Sequence, residues 1–157
     1  MWTMELRDAA DTHRAGEALS RAAQGPTVVA LVGDLGAGKT CFAQGVGAGL
    51  LVDQPIVSPT FVLVAQYEGR LGLLHADIYR LEPHELPSIG LEETIEDWPG
   101  VVLVEWADRC PGLLPQDHLR VVIEHQPEGR KVTAQAMGPR HAEVLQRWVT
   151  EAQKWLA

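Results

Sequence analysis

The run TVVALV, Thr27–Val32, leads straight into Gly33-Asp34-Leu35-Gly36-Ala37-Gly38-Lys39-Thr40, which fits G-x-x-x-x-G-K-[ST]. No other stretch restricts the fold as strongly, because the pattern works only where a buried strand turns into a helix. Its glycines let successive backbone N–H groups turn inward around phosphate oxygens, and the helix N-terminus adds a positive dipole end at the same spot. Lys39 is placed to reach the β- and γ-phosphates, and the Thr40 hydroxyl to meet Mg²⁺. Pattern and context together favour a phosphate loop over an ordinary glycine turn.

TVVALV is continuous and β-branched, as suits a strand buried on both faces, so helices are expected on both sides of the sheet. A first helix is expected ahead of this strand, capped by Asp11 or Thr12, with Ala15, Ala18, Leu19 and Ala22 on its apolar face and Gly25-Pro26 ending it. A second helix should run from about Lys39 to Leu50. Phe61–Tyr67 and Leu71–Tyr79 flank Glu68-Gly69-Arg70 and read as an antiparallel hairpin. The acidic, proline-punctuated stretch Pro83–Pro99 suits short helical turns, and VVLVE, Val101–Glu105, supplies another buried strand. His118–His125 and Arg130–Ala136 form a second hairpin. A final helix is expected to bury Leu145, Trp148, Val149, Ala152, Trp155 and Leu156. The expected fold is therefore α/β, with a P-loop NTPase-like mixed sheet, helices on both faces and antiparallel hairpin additions, over residues 1–157 as a single domain.

A phosphate loop needs further oxygen ligands for its metal and a group to orient the attacking water. Asp77, ending LGLLHAD, and Glu105, ending VVLVE, each follow an apolar run that aims them at the carboxyl edge of the sheet. Spacing alone assigns them no separate roles. Ser58-Pro59-Thr60 lies where nucleotide switches present a hydroxyl, and equally where a proline turn would enter a strand. His75 and Asp77 alternate onto one strand face, which makes a metal pair conceivable, although a packed or hydrogen-bonded histidine is the simpler reading. The chain lacks an Asn-Lys-x-Asp guanine-reading element, so ATP is the default nucleotide. Arg109, Arg120, Arg130 and Arg140 are too dispersed for the arginine-rich lid of a small-molecule kinase, which stands as the alternative enzyme class. A nucleotide-dependent binding module without turnover is the third reading.

Charge narrows the partners. Thirteen Lys and Arg against 21 Asp and Glu give a net charge of −8, with no basic run longer than Arg130-Lys131, so a direct grip on naked nucleic acid is disfavoured. Cys41 and Cys110 have no metal spacing, and residues 1–10 carry no apolar signal region. The apolar runs fall far short of the roughly 20 residues needed to cross a bilayer. A cytoplasmic protein with no membrane contact is expected.

Several strings then stand in order: GDLGAGKT at Gly33–Thr40, SPTFVLV at Ser58–Val64, HADIYRL at His75–Leu81, LVEWADR at Leu103–Arg109 and LLP at Leu113–Pro115. Together they resemble the TsaE (YjeE) family, small bacterial ATPases of tRNA threonylcarbamoyladenosine biosynthesis. The resemblance implies a weak ATPase that binds MgATP and docks on the TsaB and TsaD proteins. There it sustains threonylcarbamoyl transfer to the tRNA adenosine beside the anticodon, with tRNA engaged indirectly through the complex. It implies nucleotide contacts at Asp34, Leu35, Gly36, Ala37, Gly38, Lys39, Thr40 and Cys41, Mg²⁺ ligation by Thr40 and Glu105, and Asp77 acting near the γ-phosphate or its water. Trp106 beside Glu105 is implied to matter for catalysis along with Lys39, Asp77 and Glu105. Thr60 is similar to a switch residue, and Thr12 and Arg130 to residues bordering the nucleotide. One departure is Cys41, where family members often carry a second threonine; a packed small residue is expected there rather than a redox switch.

Overall fold

The computed structural model describes residues 1–34, 36–57, 64–85 and 89–156. TVVALV forms a strand at the centre of a seven-stranded sheet. In chain order the strands are β1 (Trp2–Leu6), β2 (Thr27–Val32), β3 (Val64–Tyr67), β4 (Leu73–Asp77), β5 (Val101–Glu105), β6 (Leu119–His125) and β7 (Arg130–Ala136), arranged β1-β7-β6-β2-β5-β4-β3. β2 is parallel to β5 and β6, and β4 is parallel to β5. The outer pairs β3–β4, β6–β7 and β1–β7 are antiparallel. The sheet is thus mixed, with a parallel centre buried on both faces and hairpins at its flanks.

The described helices are α1 (Ala9–Ala22), α2 (Lys39–Gly49), α3 (Leu91–Asp97) and α4 (Pro139–Gln153). α1, α2 and α4 cover one face, where Val29, Leu31, Leu73, Leu103 and Val121 meet Leu19, Phe42 and Trp148. The other face packs Val28, Ala30, Leu74, Val102 and Val104 against Leu91 and Ile95 of α3 and against Leu113. Helices therefore lie on both faces, but with three long ones on a single side. Trp148 ties that side together: its indole N–H donates to the Ala15 carbonyl at 3.0 Å, and its ring meets Trp2 and Phe42 edge-on.

Three expectations need correction. The first helix does not come first, because β1 precedes it; Trp2, Met4 and Leu6 turn inward while Thr3 and Glu5 face solvent, the period-two pattern of an edge strand. The cap of α1 is Asp8, whose carboxylate accepts from Asp11 N at 2.9 Å, rather than Asp11 or Thr12. Asp11 instead reaches back to accept from the Arg7 backbone and guanidinium, which holds its carboxyl below the usual carboxylate range. Finally, α4 buries His141, Val144, Trp148 and Ala152; Leu145 and Val149 are only half-buried, and Trp155 and Leu156 lie past the helix end. His141 takes an inner position because both of its ring nitrogens find partners, Asp117 at 2.7 Å and the Val28 N–H at 2.9 Å.

α1 and α2 pack unusually close. A Cβ on Gly45 would sit 2.0 Å from the His13 carbonyl oxygen, a separation that only glycine permits. This contact brings the N-terminal half of α1 against the middle of α2, and Thr12 of α1 then lies against Gly38, just ahead of Lys39.

Candidate nucleotide-binding site

The sheet sets the frame. β2 ends at Val32 and hands the chain to the loop, while β4 and β5 run parallel beside it in a register that pairs Asp77 with Glu105. Paired residues of parallel strands point to the same face, so both carboxylates emerge next to each other at the carboxyl edge, on the side covered by α2. Gly36 and Gly38 adopt left-handed backbone at φ 78° and 111°, and α2 begins immediately afterwards with no side chain capping its N-terminus. The first N–H groups of α2 are thus left for an anion rather than spent on a protein side chain.

Gly36, Gly38, Lys39, Thr40, Cys41, Asp77, Glu105 and Trp106 line one cavity of about 480 Å³, together with Tyr79 and Arg80. Lys39 is 6% exposed, and its ammonium donates to the carbonyls of Gly33 and Asp34 at 2.5 and 3.0 Å. It also lies 4.2 Å from the centre of the Trp106 ring. Burial pushes its pKa below the usual lysine value, against the pull of Glu105, Asp77, Asp34 and Asp108. The lysine is thus held by carbonyls and an aromatic face within a ring of carboxylates. Asp77 and Glu105 are 5% and 2% exposed; Asp77 accepts from Tyr79 N, and Glu105 accepts from His75 Nε2 at 2.6 Å.

Trp106 has φ 61°, left-handed backbone that a tryptophan rarely adopts. That turn at the end of β5 brings its indole against both the Lys39 ammonium and Tyr79, whose ring centre is 4.7 Å from that of Trp106, and the Arg109 guanidinium lies 5.5 Å from the centre of the Tyr79 ring.

A family model described as threonylcarbamoyl adenosine biosynthesis protein TsaE matches residues 6–132. The chain belongs to the TsaE family. The curated TsaE protein of a Nostoc species, named as a tRNA threonylcarbamoyladenosine biosynthesis protein, is 45% identical over 130 residues, covering 80% of each chain. The TsaE protein of Treponema pallidum is 40% identical over 126 residues, 80% of this chain and 93% of its own. The crystal structure of Bacillus subtilis YdiB superposes with a TM-score of 0.80 at 30% identity, covering 95% of this chain and 94% of that one. The family match spans the phosphate loop, both strand-end carboxylates, β6 and the first three residues of β7, and stops before α4.

Within this TsaE-family fold the other expected site residues take distinct places. Arg130 donates to the Ala37 carbonyl at 2.9 Å and to that of Gly36 at 3.4 Å, bracing the loop from behind. Ala37 is buried, and its N–H closes a turn on the Asp34 carbonyl. Thr12 is buried behind the loop, where a Cβ on Gly38 would meet its methyl group at 3.5 Å. Asp34 is exposed and faces a neighbouring hollow with Trp106, Asp108, Glu124 and His125. Cys41 lines the cavity and donates from Sγ to the Ala9 carbonyl, and burial raises its pKa, so it is a packed thiol and not a poised thiolate. Leu35 and the whole Ser58-Pro59-Thr60 segment lie outside the described residues.

Tyr79 and Arg80 were not anticipated as site residues, although both stand in the HADIYRL string. His75 is hydrogen-bonded, as the simpler reading of it has it, and its partner is Glu105. His75 turns its Nε2 to Glu105 at 2.6 Å, and among the described residues no group of three or more His, Cys, Asp or Glu side chains could hold a metal. A metal here would be bound through a hydroxyl, a carboxylate, nucleotide oxygens and water, the ligand set that suits Mg²⁺. Thr40 and Glu105 on one cavity, beside an uncapped helix N-terminus, fit such a group.

Proposed function

We propose that this chain is a MgATP-binding, slowly hydrolysing ATPase that supports TsaB–TsaD-dependent threonylcarbamoyl transfer to the tRNA adenosine adjacent to the anticodon. In this reading residues 1–157 act as one P-loop ATPase domain in the cytoplasm. The observation that carries it is the side-by-side register of Asp77 and Glu105 on the cavity that also holds Lys39 and Thr40. A binding module needs the loop alone; two buried carboxylates aimed at the same space are what phosphoryl chemistry adds. No described helix is long and apolar enough to cross a membrane.

The backbone N–H groups of Gly36 and of Gly38 to Cys41, with the Lys39 ammonium, bind phosphate oxygens, and Lys39 does so by leaving its carbonyl partners. Thr40 and Glu105 would hold Mg²⁺, which would supply positive charge to offset that of the phosphates. Asp77, fixed by the Tyr79 N–H, orients water toward the γ-phosphate. Trp106 screens Lys39 from bulk water. Thr60 is the switch residue in this reading, and Thr12 and Arg130 set the loop against which the nucleotide lies. The net charge of −8 accords with tRNA being held by partner proteins and not by this chain.

The test is multiple-turnover ATP hydrolysis alone and with TsaB, TsaD and tRNA, alongside threonylcarbamoyl incorporation. Turnover should be weak alone and rise with the partners, and Lys39→Ala should abolish both readouts. Asp77→Asn and Glu105→Gln should slow hydrolysis at least tenfold more than they weaken ATP binding. A Lys39→Ala protein that sustains modification refutes the proposal. A phosphorylated metabolite formed without partners would assign the site to a small-molecule kinase.

A further inference from the structure

His75 is the most deeply placed polar side chain of the site, fully buried on β4 two residues before Asp77. It does not line the cavity. Its Nε2 donates to Oε2 of Glu105 on the adjacent strand at 2.6 Å, a charge-assisted bond between two groups shielded from water. Nδ1 has no partner among the described residues, so the ring is not held in place by a second hydrogen bond. Burying an imidazole with one nitrogen unsatisfied costs free energy, and the contact with Glu105 is the one polar interaction that offsets it here.

That bond restricts Glu105. Among the described residues no other hydrogen bond engages its carboxylate, so with Oε2 tied to the strand behind it, Oε1 is the oxygen left for the cavity that Glu105 lines. A carboxylate anchored through one oxygen offers its other oxygen first to a cation and is biased against chelating it through both. Mg²⁺ demands near-ideal octahedral geometry and suits such a ligand, whereas larger ions accept bidentate carboxylates. Histidine at this depth therefore does for Glu105 what outer hydrogen-bond partners do for metal ligands in general, fixing orientation without touching the ion.

We propose that His75 is a positioning residue that, by holding Oε2 of Glu105, presents Oε1 as a one-oxygen ligand for Mg²⁺. The proposal rests on the reading of the cavity as a MgATP site. It is tested by the affinity of a non-hydrolysable ATP analogue measured in Mg²⁺, in Ca²⁺ and in EDTA. The wild type binds more tightly in Mg²⁺ than in EDTA. His75→Asn, whose amide stops short of Glu105, should lose at least tenfold of that gain while its affinity in EDTA stays within about twofold. His75→Gln, whose amide nitrogen can reach the Nε2 position, should restore most of it. The preference for Mg²⁺ over Ca²⁺ should narrow in His75→Asn and recover in His75→Gln. A His75→Asn protein that keeps the full Mg²⁺ gain overturns the inference and leaves the MgATP reading standing. A wild type with no Mg²⁺ gain overturns the metal reading of Glu105 itself, and the inference with it.

Should His75→Asn fail to fold, the wild type still decides the matter. Its hydrogen-bonded imidazole N–H proton, identified by its loss in His75→Gln, should shift when Mg²⁺ is added to the analogue-bound protein. An unmoved resonance overturns the proposal.

Discussion

The contact between α1 and α2 gives the sharpest prediction. Glycine to alanine inside a helix ordinarily stabilises by about 1 kcal/mol, because alanine is the better helix former. At Gly45 the added methyl would lie 2.0 Å from the His13 carbonyl oxygen, more than an ångström short of ordinary contact, and 2.9 Å from its carbon, and both atoms are backbone. No side-chain rotation relieves this, so α1 must move off α2 or the helices must tilt. Overpacking of that kind costs about 1–3 kcal/mol and more when the obstacle cannot yield. Gly45→Ala should therefore destabilise by about 2 kcal/mol after its propensity gain. Gly47 in the same helix is the control: its methyl would meet Ile56 Cγ1 and Cδ1 at 2.6 and 2.9 Å, and that side chain can turn away. Urea denaturation of both variants isolates the clash, since they share the propensity term. The separation also matters for the site, because α1 carries Thr12 against Gly38 and α2 begins with Lys39. Under conditions where both variants remain folded, Gly45→Ala should bind ATP several-fold more weakly than Gly47→Ala. Equal stability of the two variants, or a Gly45→Ala protein at or above the wild-type midpoint, refutes the reasoning.

Arg130→Ala removes the donors that brace the Gly36 and Ala37 carbonyls and should weaken ATP binding about tenfold, the equivalent of one or two hydrogen bonds, in a fluorescence titration; Arg130→Lys should not restore it, lacking the planar fork. Trp106→Leu removes a cation–π contact worth about 0.5–2 kcal/mol and should lower hydrolysis, with Trp106→Phe intermediate in the same steady-state assay. His141 gives a pH dependence. Its Nε2 accepts from Val28 N, so the folded protein holds the neutral ring, and burial lowers its pKa despite the pull of Asp117. The unfolded chain therefore takes up the proton first: the contribution is full above pH 6.5 and is lost as pH falls below it, at no more than about 1.4 kcal/mol per pH unit. Urea midpoints between pH 7.5 and 5 should show this slope in the wild type and a flatter one in His141→Gln. A slope unchanged in His141→Gln would assign it to other groups.

The central elements were legible because each carries its own local reason. TVVALV is apolar on both faces, the loop has its glycines where backbone must turn, and each hairpin flanks a turn sequence, so period and punctuation were enough. Asp77 and Glu105 were legible singly, as acids closing apolar runs, but their pairing depends on the register of two strands that the chain joins 28 residues apart. Arg130 bonds a carbonyl 93 residues away and His141 an amide 113 residues away, and no local pattern encodes either. On α4, Trp148 and Ala152 are buried and Leu145 packs against the core as expected, but the inner His141 was missed for that reason. An apolar count ranks Leu145 and Val149 above a histidine, whereas the fold buries the histidine once its two nitrogens are satisfied. β1 is the different case: its alternation is plain in Trp2-Thr3-Met4-Glu5-Leu6, but five residues beside an edge carry little weight against a strong helix pattern just after them.

The least legible feature is also the one closest to the chemistry. Nothing in LVEWADR tells a tryptophan to adopt left-handed backbone, which costs about 1–2 kcal/mol for a residue with a Cβ. The conformation persists because three contacts depend on it: the Trp106 N–H on the Leu31 carbonyl at 3.2 Å, and the contacts of the indole with the Lys39 ammonium and with the Tyr79 ring. Extended backbone at Trp106 would continue β5 and carry the ring past the lysine. The strain therefore turns a strand end into a wall of the cavity, and it links the loop after β2 to the turn after β4 through a single side chain. Local propensity is overruled here by what the site needs, as backbone strain at functional positions generally is.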